Sequence, residues 1–529
     1  MSAALHSTGH LFVLHGLLES VRHDYAIVPT STHGRLRESW AGLLGNDREA
    51  HRPRDWAEKP CEFAPSALTD HIWLLSVSGL EAADRVLALV DRTSRLVQEI
   101  GRRATESRIG RARPLVVLPV VGTDGGGMGD QRGRLLRKLI PALQQEAAAA
   151  GVDVALAVKD ASMYAAAQHV RRKRRSWRLD HDLRGEAERL GGLARNGELA
   201  LFIGAGVSMG AGLPGWGALL QELVGEASDL AVAEFDSMSP LDQAQLVQQV
   251  VGGTVEDARV ELGRRIAEIL DRHEQPALGH VLLAALGCQE AITTNYDRLY
   301  ETAIAAGGGQ VATVLPKQPV KGAERWVLKM HGDVDLPSSI VLSREQFVSY
   351  DAQSRPSAAM LQSLFVTRHV LVVGASLTDD NVIRLAYEVN EYRSKSGHRG
   401  AYGTVIDVRD RPLMKELWRG QFAWLTMPNA RGAVDDSCRI RAMEIFLDAV
   451  GAFAASDSSW LLDRRFNGLL PRHSRDISHA ARSLYVALQE RVPDDAVWSP
   501  LQEALLALGA DPARGTTALN ERPSALTET

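Results

Sequence analysis

Four short clusters, each following an apolar run, hold the side chains best able to do chemistry in this chain. Gly204-Ala205-Gly206-Val207-Ser208 follows Leu199–Ile203 and precedes Gly210, Gly212, Leu213 and Pro214. Glycines at such a turn let the backbone approach a diphosphate, and the amides opening the next helix then face the anion. The third glycine comes one residue later than in G-x-G-x-x-G, at Gly210, so a plain tight turn is an equal reading. Thr293-Thr294-Asn295-Tyr296-Asp297 stands at a strand end, where ligands collect in open α/β sheets. Asn295 is suited to hydrogen-bond a ribose hydroxyl or hold a water, and Asp297 to accept from a carboxamide; capping the next helix is the alternative. Lys329-Met330-His331-Gly332-Asp333 supplies an imidazole, the group best matched to proton transfer near neutral pH, although a lone histidine is often structural. Gly374-Ala375-Ser376-Leu377-Thr378-Asp379-Asp380 offers another small-residue turn for a ribose or phosphate, or else an N-cap at Ser376 or Thr378.

Such clusters work only on a framework that aims them at one place. Apolar runs at ELALFIGAG, QEAITTNYD, WVLKMHGD, HVLVVGAS and GTVIDV read as central strands buried on both faces, within a unit spanning residues 196–450. Residues 217–285 between the first two are rich in Ala, Leu, Gln and Glu, which predicts a helical insertion. Ahead of this unit, AIVPT, HIWLLSV, PLVVLPVV and DVALAV alternate with helical stretches, so residues 1–170 read as a second α/β unit. Residues 171–195, opening with RRKRRSWR, read as a connector whose charges form a solvated helix face. Residues 451–529 read as a helical extension ending in a disordered tail. Trp460, Leu461, Leu484 and Leu505 of this extension are expected to pack against their own domain.

Composition narrows the function. A chain of 529 residues folds as two or three units. Its hydrophobic fraction of 45% and charged fraction of 24% are ordinary for globular proteins. A formal net charge of -5 gives no overall basic field, so no nucleic acid is expected as a partner. Three scattered cysteines, Cys61, Cys288 and Cys438, argue against a disulfide framework and a structural zinc site, and no metal is expected. No secretory start and no 18-residue apolar stretch are found, which places the chain in the cytoplasm and off the membrane.

In this order and at these separations, the four clusters resemble those of the sirtuin superfamily, over roughly half the chain. The nearest likeness is to bacterial sirtuin-like NAD hydrolases of antiphage defence. The resemblance implies a Rossmann-type parallel sheet. It implies Gly204, Ala205, Gly206 and Ser208 around the NAD diphosphate, with Gly374 and Ser376 completing the pocket. It further implies Asn295 and Asp297 at the nicotinamide ribose, and His331 as general base. Two departures bear on the activity. Leu213-Pro214-Gly215-Trp216 stands where deacetylating sirtuins carry Pro-Asp-Phe-Arg, and three cysteines cannot build their four-cysteine zinc module. Without an acyl-lysine, water captures the ribose C1, which makes NAD a substrate cleaved to nicotinamide and ADP-ribose. A sirtuin-type deacylase and a non-enzymatic nucleotide-binding regulator are the alternatives.

Residues 114–143 hold an apolar run, then Gly122, Gly125, Gly126, Gly127 and Gly129, then an amphipathic helix. A loop of this kind wraps a phosphate through backbone amides, or is simply a surface loop. With AIVPT, STHG and WAGLLG it resembles a macro domain, the module that binds ADP-ribose and related nucleotides. Pro29-Thr30-Ser31-Thr32 replaces the usual Asn-rich segment, which favours binding over hydrolysis. The resemblance implies an ADP-ribose-type signalling nucleotide at Gly122, Gly125, Gly126 and Gly127, regulating an NAD-consuming domain. A homo-oligomer is the expected assembly.

Overall fold

A computed structural model describes residues 8–56, 58, 61–80, 82–123, 126–175, 177–224, 232–251, 255–308, 311–319, 325–397, 400–430, 436–492 and 496–511. Gly125 and the expected tail from 512 to 529 lie outside these residues. Every strand predicted from an apolar run is present, and the chain is α/β with two separate sheets.

The first sheet contains β1 (Leu11–His15), β2 (Tyr25–Thr30), β3 (Phe63–Pro65), β4 (Ile72–Ser76), β5 (Leu115–Pro119) and β6 (Asp153–Val158). Their order is β1-β6-β5-β2-β4-β3, parallel except for the edge strand β3, which runs antiparallel to β4. The second contains β7 (Leu199–Ile203), β8 (Glu290–Thr293), β9 (Thr313–Leu315), β10 (Trp326–Lys329), β11 (His369–Val373), β12 (Gly403–Asp407) and β13 (Phe422–Thr426). Its order is β13-β12-β11-β7-β8-β10-β9, parallel throughout. From β7 the chain passes to β8 on one side and later reaches β11 on the other, so β7 sits at the switch point where such sheets bind ligands. The continuous apolar run of β7 is explained by burial on both faces. Leu199, Leu201 and Ile203 enter one core while Ala200 and Phe202 enter the other. The insertion is helical as expected, with helices Trp216–Val224, Val232–Ser237, Pro240–Val251, Val255–Leu270 and Leu278–Ala284.

The two sheets share a core. Phe12, Leu14, Leu115 and Ala155 of the first sheet join Leu199, Leu201 and Leu371 of the second in one buried cluster. Between them lies the helix Ser437–Ala454, in which every residue from Arg441 to Ala452 is buried. A helix covered on all sides must pair its polar groups internally. Asp448 takes the Arg171 guanidinium at 2.8 Å, the Trp177 indole at 2.8 Å and His10 Nε2 at 2.9 Å. Reciprocally, Asp153 on β6 accepts from Arg441 Nε at 2.8 Å. Burial pushes the Asp448 carboxyl up, but Arg171 and His10 outweigh it and hold it at about 2.

These contacts correct the expectation of a solvated Arg/Lys face at one end only, since Lys173, Arg174, Arg175 and Arg178 are exposed. Arg171 is 0% exposed, and it belongs to the helix Ala161–Arg174. The helix His181–Arg195, in the stretch read as a connector, buries Ala187, Leu190 and Ala194 in the shared core. Of the extension after residue 450, Leu505 packs within its own segment as expected, whereas Trp460 and Leu461 pack into the core of the first sheet and Leu484 is exposed. The extension packs against the first sheet's layer. Phe466 is fully buried there, so close to Gly133 that a Cβ on that glycine would lie 2.6 Å from the Phe466 carbonyl oxygen.

Candidate active site

The register of the second sheet brings the four clusters together. Ile203 pairs with Val373 on one side and Thr293 on the other, and Thr293 pairs with Lys329. Gly204, Gly374, Asn295 and His331 therefore all leave the sheet at its carboxyl edge, one or two residues past the same line.

The turns after β7 and β11 touch through backbone. Gly206 N donates to Gly374 O at 2.9 Å, and Gly204 N donates to Val373 O at 2.9 Å. A Cβ on Gly204 would lie 2.6 Å from both Ala375 Cα and Gly374 O, and Gly374 itself has φ +70. These glycines are thus required by the junction of two turns, whatever the turns bind. Ala205, Gly206 and Ser376 are exposed at the edge, and the Ser376 hydroxyl lies 2.6 Å from that of Thr378.

Beneath the turns lies a buried polar network. Ser208 donates its hydroxyl to Asp297 Oδ2 at 2.8 Å. Asn295 Nδ2 donates to Ser208 Oγ at 3.0 Å, and His280 Nε2 lies 3.2 Å from the same oxygen. Asp297 Oδ1 accepts the Leu299 amide at 3.0 Å, bracing the turn before the helix Leu299–Ala306, but the N-cap of that helix is Arg298, so Asp297 is not its cap. Asn295 is placed by its own amide, which donates to Thr293 Oγ1 at 3.0 Å, while that hydroxyl donates to Ile203 O at 2.8 Å. The Lys329 ammonium ties the loop down, donating to the carbonyls of Asp297 at 2.6 Å and Tyr296 at 3.1 Å. Asn295 Oδ1 is buried and has no hydrogen-bond partner among the described residues. A buried acceptor without a donor is costly, and at a strand edge it is where a ligand or water proton belongs.

His331 is 3% exposed, packed edge-on against Phe347 with ring centroids 5.0 Å apart. Gly332 after it has φ +99 and lies so near Ser339 that a Cβ would be 2.4 Å from its carbonyl oxygen, which fixes the turn carrying the imidazole. His331 Nε2 is 3.2 Å from Asp379 Oδ2. Asp379 also caps the helix Asp380–Lys395 through Asn381 N. Because β11 and β10 are separated by β7 and β8, this contact carries the loop after β11 across the ends of both intervening strands. Burial pushes the His331 pKa down, with Asp379 opposing, so the ring is a neutral base at neutral pH.

His280 went unnoticed in the sequence reading. It sits in LGHVLLA, a helix buried at every position, and a single polar residue within such a run is the available signal. The glycine loop after β5 stands apart, on the first sheet. Gly122 and Gly127 have φ +83 and +73, Met128 N donates to Gly122 O, and Arg85 donates to Gly126 O at 3.4 Å. Among the described residues, no group of three or more His, Cys, Asp and Glu is placed to hold a metal ion. Nor is any helix there long and apolar enough to cross a membrane.

The chain is 29% identical over 223 residues to the NAD(+) hydrolase ThsA of Acinetobacter baumannii (strain 532279), covering 40% of this chain and 45% of that protein. It is 30% identical over 209 residues to the NAD(+) hydrolase ThsA of Bacillus cereus (strain MSX-D12), covering 37% and 41%. It is 26% identical over 215 residues to Defense-associated sirtuin 2 of Bacillus subtilis, covering 39% and 20%. The matches thus span less than half the length of each of these relatives. The model of the SIR2-like domain family matches residues 289–419, from the start of β8 to just before β13.

Proposed function

We propose that this chain is an NAD hydrolase that cleaves the nicotinamide–ribose bond to give nicotinamide and ADP-ribose. The observation that carries the reading is the unpartnered Asn295 Oδ1, buried where the four strand-end clusters meet. In the reaction the C1–nitrogen bond of the ribose breaks, nicotinamide leaves with the bonding pair as a neutral molecule, and positive charge develops on the sugar. Asn295 Oδ1 accepts a proton-bearing group, either the incoming water or a ribose hydroxyl, and so orients it. Water oxygen bonds to C1, and His331, neutral at pH 7, takes the proton released. Ala205, Gly206, Ser208, Gly374 and Ser376 line the path of the dinucleotide, with Asp297 beneath. Nothing in this scheme needs a metal.

In this reading residues 196–450 are the catalytic domain and 451–529 its extension, with 171–195 as the connector. Residues 1–170 form a macro-like domain that takes an ADP-ribose-type signal at the loop Gly122–Gly127. The assembly is a cytoplasmic homo-oligomer, and the purpose is NAD depletion in antiphage defence. The names of the relatives, NAD(+) hydrolase and defence-associated sirtuin, support the activity and the setting. A signal shifts activity only by binding the active arrangement better than the inactive one. Nicotinamide release from NAD, without any acylated peptide and with ADP-ribose or its cyclic isomers added in turn, tests both parts. Release that requires an acylated peptide would identify a deacylase. Turnover indifferent to every nucleotide would remove the signalling role.

A further inference from the structure

We infer that His280 is a positioning residue that holds the Ser208 hydroxyl, and through it the Asn295 carboxamide, in the place that faces the substrate. The direction of each hydrogen bond in the buried network follows from one backbone amide and one carboxylate. Ala277 N donates to His280 Nδ1 at 3.1 Å, and an amide nitrogen only donates. Nδ1 is therefore the lone-pair nitrogen, and the proton of the neutral ring sits on Nε2. Nε2 in turn donates to Ser208 Oγ across 3.2 Å. As a carboxylate Asp297 only accepts, so the Ser208 hydroxyl proton goes to Asp297 Oδ2. A hydroxyl has one proton and two lone pairs, and with His280 on one pair the other takes a donor from Asn295. That donor is Nδ2, at 3.0 Å. Oδ1 is thereby turned away from the network and left as the buried, unpartnered acceptor.

The device needs a ring that never becomes a double donor. Burial pushes the His280 pKa down to about 4, against the opposing pull of Asp297, so the ring stays neutral wherever the enzyme works. Without His280, Ser208 Oγ loses one of the three contacts that hold it under Asn295, and its second lone pair is left bare in a buried site, so the oxygen against which the carboxamide is aligned is free to shift. His280 reaches no reacting atom. It acts through Ser208, and the helix Leu278–Ala284 that carries it packs in the core shared by both sheets.

This inference rests on the reading of Asn295 as the group that orients water or ribose, so its test has one arm independent of turnover. Nitrogen-15 NMR of the full-length protein, labelled at histidine and assigned with His280→Gln, is expected to show the Nε2–H tautomer from pH 5 to 8. An Nδ1–H tautomer would overturn the wiring outright. In the kinetic arm, His280→Ala is expected to lower kcat for nicotinamide release about 10- to 100-fold with KM for NAD within about 2-fold. His280→Gln, which keeps a donor at the Nε2 position, is expected to recover most of that loss. A defect confined to KM, or equal in both variants, would overturn the inference. A wild type silent toward NAD but showing the Nε2–H tautomer would overturn the hydrolase reading while supporting the wiring.

Discussion

Two glycine turns in this molecule look alike in sequence and differ in what surrounds them. After β5, Gly122 to Gly127 lead into the helix Arg132–Ala150; after β7, Gly204 to Ser208 open a short helix of their own. In both, glycine is forced by close backbone approach. A Cβ on Gly126 would meet Gly122 Cα at 2.5 Å, and one on Gly204 would meet Ala375 Cα at 2.6 Å. Around the β5 loop the neighbours are Leu89, Met128 and the Arg85 guanidinium. Around the β7 turn they are Ser208, His280, Asn295 and Asp297, all buried, all polar, and wired so that one acceptor is left over. Glycine spacing therefore reports how tightly two pieces of backbone meet. Buried polar side chains at a strand edge with an unspent lone pair mark where a ligand or water proton is expected.

That contrast breaks if the Asn295 side chain is dispensable. Asn295→Ala is expected to lower nicotinamide release by about 100- to 1,000-fold, the usual cost of removing one aligned polar group from a reacting centre. Its thermal midpoint should move by only a few degrees. Next in size, Gly204→Ala puts a methyl group into rigid backbone and is expected to cost about 1–3 kcal/mol of stability, together with most of the turnover. Denaturant titration checks the first effect and product release the second. A smaller effect sharpens the role of His331. Because burial lowers its pKa below 6.5, kcat/KM is expected to hold level from pH 6.5 to 8 and to fall about tenfold per pH unit only below that lowered value. His331→Ala should abolish this acid limb along with most of the rate. Smallest of all, Gly127→Ala, at φ +73, is expected to cost about 1–2 kcal/mol in stability while leaving basal NAD turnover unchanged.

In the second sheet β7, β8, β10, β11 and β12 were legible because each is an apolar run bounded by glycine or polar turns, as in LALFIG and HVLVVG. Such a pattern is local and survives without knowledge of partners. The short strands Phe63–Pro65 and Thr313–Leu315 were missed because three residues show no period, Leu11–His15 because its apolar run is brief and flanked by histidines, and the edge strand Phe422–Thr426 because it is only partly buried. Arg171 misled for a different reason. A run of Arg and Lys reads as solvated until its partner is known, and Asp448 lies 277 residues away. His280 was hidden likewise, 72 residues from Ser208, within a helix whose apolar composition signals only burial. Asn295, Asp297 and His331 were found because each ends a strand. What local sequence could not supply was the direction of the hydrogen bonds between them, which depends on a network assembled from three separate segments.

The central claim is most directly tested by following nicotinamide release from NAD by the purified wild type, Asn295→Ala and His331→Ala, with no peptide present. The account expects release by the wild type, loss in both variants, and unchanged folding of all three by circular dichroism. Wild-type turnover that survives in both folded variants would contradict it.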